Sequence, residues 1–161
     1  MRLLEKIIVT HGDLMSWPPH ITVAAIVPRN DQFLMVKEIN NQAEVYNQPA
    51  GHLEPHENLL QATLREVKEE TGWLVELSAL TGIYQYHSGK DDILYFRFTF
   101  LAEPIKQISD QLDSDIIGCN WLSMEDIRVK PLRSPLVVTC LQDYLNGQLF
   151  PLSAYTEVKQ P

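Results

Sequence analysis

Apolar and polar positions alternate in blocks that predict several short strands, one long helix and two shorter ones. Residues 21–27 form a continuous apolar run, the pattern of a buried strand. Pro28-Arg29-Asn30-Asp31 is a turn cluster, and residues 32–36 read as the returning strand of a hairpin. Residues 37–48 read only as a polar stretch. Residues 73–80 suggest another strand. In residues 93–101, Tyr95, Arg97 and Thr99 alternate with Phe96, Phe98 and Phe100; both sets carry bulk, so this strand is expected to be covered on both faces. Residues 117–122 predict a short strand. Ser123-Met124-Glu125-Asp126 has a capping-box-like start for a short helix. Ser134-Pro135 places Ser at the N-cap and Pro at the first position of a helix running to about residue 146. Residues 3–9 are apolar enough for a short strand, and Pro18 and Pro19 close the loop after it. Together these elements predict an α/β layered domain with a mixed sheet.

The 161 residues suit one domain. Folding should bury about 69% of the extended chain's surface, enough to hold a core without a disulfide or structural metal. The boundaries read as an N-terminal extension at 1–18, a domain at 19–153 and a tail at 154–161, with Met15 as a second start. A net charge of −8 argues against a general grip on nucleic-acid backbones and is compatible with binding a divalent cation. No apolar run reaches a membrane-spanning length, so no membrane partner is expected. Cys119 and Cys140 lack metal-ligand spacing, and a reduced pair fits better than a disulfide. The N-terminus has no apolar core of a signal peptide, so a cytoplasmic location is expected.

The informative stretch runs from Gly51 to Trp73. Pro55 keeps a helix from starting before residue 57 or 58, and Gly72 is a natural stop. At 100° per residue, Glu66, Glu69 and Glu70 share one face, while Leu60, Leu64 and Val67 lie on another, which is expected to face the core. Three adjacent carboxylates repel, and two sit where the helix dipole disfavours anions. Two readings follow from the helix alone: a solvated acidic face, or a site for a hard cation.

The spacing is more specific. Gly51 is followed by five residues, Glu57, seven residues, then Arg65-Glu66-Val67-Lys68-Glu69-Glu70-Thr71-Gly72-Trp73. This resembles the Nudix box at every position, and a chance match is on the order of 10⁻⁸ per start site at background residue frequencies. The resemblance implies a Nudix hydrolase that cleaves phosphoanhydrides linking a nucleoside diphosphate to another group. It implies an α/β/α sandwich with a mixed β-sheet and the box as a loop–helix–loop. It further implies Glu66, Glu69 and Glu70 as ligands of Mg²⁺, with Mn²⁺ as a substitute and the Gly51 carbonyl completing the site. Glu66 or Glu70 would activate the attacking water. Glu57 and Arg65 would pair and hold the loop on the helix. In this family a further acid commonly precedes a Trp-bearing strand. Asp115, six residues before Trp121, has that spacing, although Asp113-Ser114-Asp115 also reads as a plain polar turn.

Further similarity spans residues 19–151, through Tyr46-Asn47-Gln48-Pro49-Ala50-Gly51, Phe96-Arg97-Phe98, Asp113-Ser114-Asp115-Ile116 and Leu132-Arg133-Ser134-Pro135. It looks like a branch of the family that releases orthophosphate from nucleoside tri- and diphosphates. That branch also hydrolyses thiamine pyrophosphate and hydroxymethylpyrimidine pyrophosphate. Substrate-binding candidates are Tyr46, which stands where Trp is expected, with Gln48, Arg97 and Arg133. Arg97 can instead pair with a helix carboxylate, Arg133 can cap its loop, and Gln48 can hold the loop. Tyr84, Tyr86 and His87 either line the pocket or belong to a strand edge. An oxidised-nucleotide (8-oxo-dGTP) cleanser and a catalytically silent nucleotide sensor are the alternative functions. The proline common in ADP-ribose hydrolases falls near Ser88, and the next proline is Pro104. The expected partner is a small nucleotide or pyrophosphate. A monomer is implied, with a dimer contact left open at Phe150-Pro151-Leu152.

Overall fold

The first strand, β1 (His20–Ile26), is buried along most of its length because five apolar or small residues follow one another there. The computed structural model describes residues 18–89 and 92–158. The strand expected at residues 3–9, the second start at Met15 and nearly all of the expected extension lie outside them. β2 (Pro28–Arg29) turns through Asn30 and Asp31, both at positive φ, into β3 (Gln32–Asn40). A second tight turn at Asn41 and Gln42, with φ of 50° and 67°, leads into β4 (Ala43–Asn47). The polar stretch at 37–48 is therefore a hairpin: Lys37, Glu38 and Ile39 pair with Tyr46, Val45 and Glu44. Its polar side chains hid the strand period, because this ribbon borders a cleft instead of being buried on both faces.

The remaining elements are β5 (Ala50–His52), α1 (Leu59–Thr71), β6 (Trp73–Ser88), β7 (Ile93–Gln107), β8 (Ile116–Ser123), α2 (Met124–Arg128), α3 (Leu136–Leu145) and β9 (Phe150–Pro151). One sheet has the order β5-β1-β7-β6-β9, with β1 and β7 parallel and its other pairs antiparallel. In the second, β3 pairs with β2 and β4 along one edge and with β8 along the other. α1 covers one face of the larger sheet and α3 the other, which makes the α/β/α sandwich. Alternation on β7 serves both layers. Phe100 joins Leu59 and Ala62 of α1, with Phe98 packed against them, while Leu101 joins Val137 and Leu141 of α3. A third cluster ties Val67 of α1 to Val27 and Leu34 of the two sheets. Beside it Trp73 and Trp121 meet edge to face, and the Arg29 guanidinium lies 3.8 Å from the centre of the Trp121 ring.

Several expectations change. β6 and β7 run well past residues 80 and 101, and three bulges in their pairing let two such long strands stay in register. On α1 the expected core face holds at Val67, which is buried, and at Leu60, which packs against the core, but not at Leu64. Leu64 is exposed, and Leu59, Ala62, Glu66, Val67 and Glu70 are buried together. The carboxylates and the core thus share a face. The Ser134-Pro135 cap is also different: α3 begins at Leu136, and the Ser134 hydroxyl makes no cap bond. Phe150 and Pro151 add a short edge strand to β6, and Leu152 packs against the α1 layer. Both cysteines are free thiols, and burial pushes the Cys119 thiol up to about 11.

α1 is delimited by two local devices. Asn58 and Gln61 form a reciprocal capping box at its start. Gly72 ends it at φ 69°, donating to the Lys68 carbonyl at 2.9 Å. A Cβ on Gly72 would also collide with the Ser109 carbonyl. Gly72→Ala is therefore expected to lower unfolding free energy by about 1–3 kcal/mol in urea titrations.

Candidate active site

The site is organised around Arg65. Its Nη2 and Nε donate to the two Glu57 oxygens at 2.7 and 2.9 Å, a bidentate pair. Its Nη1 donates to Glu66 Oε1 at 2.7 Å and to Glu69 Oε2 at 3.3 Å, and Nη2 also reaches the His52 carbonyl at 3.0 Å. Glu57 in turn accepts from the Glu54 amide at 2.8 Å. One guanidinium thus locks the loop after β5 onto the second turn of the helix. The ion pair holds the Glu57 carboxyl below its usual range and Arg65 above its own.

Glu66 and Glu70 are only 8% and 9% exposed. Glu66 lies against Gly51 so closely that a Cβ there would overlap its carboxylate. Glu70 Oε2 accepts from the Ala50 amide at 2.8 Å. Burial raises the pKa of Glu66 against the opposing pull of Arg65. Burial pushes Glu70 up to about 9, opposed by the Ala50 hydrogen bond and reinforced by the charges of Glu66, Glu38 and Asp113. Asp113, two residues before the expected Asp115, is the acid whose charge acts on both Glu66 and Glu70. The Asp113 amide donates to the Glu69 carbonyl at 3.0 Å, pinning it to the last turn of α1. The following turn carries Asp115 away to β3, where its carbonyl accepts from Ile39 and its carboxylate meets Ser114.

This seam holds more buried anionic charge than Arg65 offsets, and its donors are carboxylate oxygens. Both properties fit a hard divalent cation. Among the described residues no group of three acidic, His or Cys side chains is placed to hold a metal ion.

A half-open cavity of about 270 Å³ borders the seam at Gly51 and Glu38. It lies on the α3 side of the larger sheet. Its lining includes His52, Tyr86 and Tyr95, together with Arg97, Arg133 and Ser134. His20 Nδ1 and His52 Nε2 share a hydrogen bond of 3.1 Å, and Tyr95 meets His20 edge to face. Burial lowers the His52 pKa, with the charges of His20 and Arg133 adding to it. Arg97 is buried without an ion pair among the described residues. Arg133 Nε stands 4.0 Å from Glu38.

Two substrate-binding candidates are placed elsewhere. Tyr46 pairs with Lys37 on β3, on the opposite pleat from cavity-lining Asn47 and Glu38, and packs on the α3 core beneath Lys130. Gln48 is fully buried and donates to the Val137 carbonyl at 2.9 Å, tying the loop to α3. Tyr84 bonds Asp143 and joins the core, while Tyr86 lines the cavity. Thr22 and Glu38 were not singled out by the sequence, and Asp113 was read only as part of a polar turn ahead of the Trp121 strand. Their proximity to the site comes from strand register and one turn, which no local motif marks.

This arrangement, a carboxylate helix clamped to a glycine loop on an α/β/α sandwich, defines a class of metal-assisted hydrolases. Residues 18–139 match the NUDIX domain, and the chain belongs to that family as a Nudix hydrolase. It is 39% identical over 146 residues to the phosphatase NudJ of Shigella boydii and of Escherichia coli, covering 89% of this chain and 94% of theirs. A solved NUDIX hydrolase from Nitrosomonas europaea superposes with a TM-score of 0.85 at 41% identity, covering 88% of this chain and 98% of that one. The NUDIX domain of Shewanella oneidensis NrtR, solved with ADP ribose, shares the fold at TM-score 0.63 and 16% identity, over 80% of this chain and 89% of that one. Nudix hydrolases generally use a divalent metal and act on small nucleotide substrates. No helix among the described residues is long and apolar enough to cross a membrane.

Arg65→Lys keeps the charge but loses the fork that spans Glu57 and Glu66. Hydrolysis of any accepted nucleotide is expected to fall roughly 10- to 100-fold, with the circular dichroism spectrum unchanged. Wild-type turnover in this variant would show that the clamp does not position the carboxylates.

Proposed function

We propose that this protein is a Mg²⁺-dependent phosphoanhydride hydrolase that releases orthophosphate from nucleoside tri- and diphosphates and from thiamine-type pyrophosphates. The observation that carries the reading is the buried pair Glu66 and Glu70, held by Arg65 and the Ala50 amide at the edge of a cavity lined by both aromatic and cationic side chains. Glu66, Glu69 and Glu70, with the Gly51 carbonyl, would hold the metal, and Asp113 supplies the additional acid. When bound, Mg²⁺ or Mn²⁺ would offset the substrate's charge and make water a better nucleophile. Arg65 fixes Glu66 in place, and the Ala50 hydrogen bond fixes Glu70. One of these two carboxylates takes the proton from the attacking water. His52, Tyr86 and Tyr95 give a flat heterocycle an apolar and stacking surface. A cavity of about 270 Å³ takes a single heterocycle with its phosphates more readily than a dinucleotide. Similarity to NudJ phosphatases over nearly the whole chain supports orthophosphate as a product. Reduced thiols and the family's small-molecule chemistry suit a cytoplasmic monomer.

The test is a panel of GTP, GDP, thiamine pyrophosphate, ADP-ribose and 8-oxo-dGTP with Mg²⁺, assaying orthophosphate and pyrophosphate separately. Orthophosphate is expected from the first three. Glu70→Gln is expected to lower that rate by roughly 100-fold or more, the scale of losing an acid–base group. Pyrophosphate with a monophosphate would indicate attack at an internal phosphorus and a nucleotide-cleansing role. Nucleotide binding without turnover would indicate a sensor.

A further inference from the structure

Buried polar atoms normally find partners, and those that do not call for an explanation. Among the described residues seven buried side-chain polar atoms make no hydrogen bond: five of them, Thr22 Oγ1, Asn47 Oδ1, Arg97 Nε and Nη1 and Ser134 Oγ, belong to residues lining the one cavity described above. Arg97 is the costliest. It is 8% exposed, and a buried cation held for structural reasons would be paired as the chain folds. The nearest acid lining the cavity, Glu38, is engaged elsewhere: it accepts from Asn47 Nδ2 at 3.3 Å and faces Arg133 at 4.0 Å. Thr22 is the direct cross-strand neighbour of Arg97. Ser134 opens the ten-residue helix α3, whose N-terminus has no side-chain cap and no acid in its first turn. A buried guanidinium, a free hydroxyl and an uncapped helix start therefore line one cavity together with Arg133.

We infer that this part of the cavity is a metal-independent site for a phosphate monoester, in which Arg97, Ser134 and the N-terminus of α3 seat the substrate's terminal phosphate. The inference rests on the reading above that the cavity takes a phosphoanhydride substrate. Helix N-termini and guanidinium groups are both matched to phosphate oxygens. Two arginines and a helix start favour a dianion over a singly charged diester. A terminal phosphate also offers three oxygens to this set of donors, where an internal one offers two. After cleavage the same groups hold orthophosphate, so product competes with substrate.

The test is calorimetric titration of the purified protein with orthophosphate, methyl phosphate and dimethyl phosphate in EDTA, without divalent metal. Orthophosphate and methyl phosphate are expected to bind saturably and dimethyl phosphate not to. Arg97→Gln should weaken orthophosphate binding roughly 10- to 100-fold, and Ser134→Ala by less. Phosphate should raise the wild-type melting temperature and leave that of Arg97→Met unchanged, while Arg97→Met melts no lower than wild type in phosphate-free buffer. If the Arg97 variants do not fold, Arg97 is a structural cation and the assignment fails. Absence of orthophosphate binding, or binding unaffected in Arg97→Gln and Ser134→Ala, overturns the site. Equal binding of methyl and dimethyl phosphate overturns the preference for a terminal phosphate. Phosphate binding without orthophosphate release in the Mg²⁺ panel would leave the site standing and remove the proposed function. Release from the panel with unaltered phosphate binding in the variants would do the reverse.

Discussion

The constraint on which the structure depends is the close packing of the Glu66 carboxylate against Gly51. Only glycine lacks the Cβ that would overlap that carboxylate, so any other residue there would push the Glu66 carboxylate off its position against the loop. Burying two carboxylates there is costly, and the cost is met locally. Arg65 bridges Glu57, Glu66 and the His52 carbonyl, and the Ala50 amide takes Glu70. Every contact of the clamp joins residues of β5, the loop after it or α1, so its geometry is fixed within a short stretch of chain. The two layers then carry the clamp to the cavity, because β5 pairs with β1 and β1 lies beside β7, which bears Arg97.

The division of labour across the larger sheet follows from strand alternation. On β7 the side chains facing α1 are apolar and close the core. Those facing α3 change from Leu101 through Thr99 to Arg97 and Tyr95 as the strand leaves the core for the cleft. One strand is thus a structural beam on one face and a wall of the cavity on the other. The same holds for the hairpin of β3 and β4, where Tyr46 supports the core and Asn47 and Glu38 line the cleft.

How much of this the sequence discloses depends on whether a feature is local. The box helix, its stop at Gly72 and the Ser123 cap are short-range and were legible from local pattern, while the Glu57–Arg65 pair was implied by the family resemblance. The hairpin across Asn41 and Gln42 was not, because a strand bordering a polar cleft loses the apolar alternation that marks one. The core face of α1 was legible only in part: periodicity set the carboxylates apart from Leu60, Leu64 and Val67, and here Glu66 and Glu70 are buried with Leu59, Ala62 and Val67 while Leu64 is exposed. The choice between Asp113 and Asp115 turns on one backbone hydrogen bond to Glu69, and the lone Arg97 on which carboxylates fail to reach it. Neither is encoded in a motif.

If the seam is a cation site, its affinity for metal should reside in the two buried carboxylates. Titration of the protein with Mn²⁺, followed by electron paramagnetic resonance of the free ion, measures this without any substrate. Saturable binding to the wild type, lost in Glu66→Gln and Glu70→Gln while Glu44→Gln retains it, is the result the account requires. Equal Mn²⁺ binding by all four proteins, or none by the wild type, would contradict it.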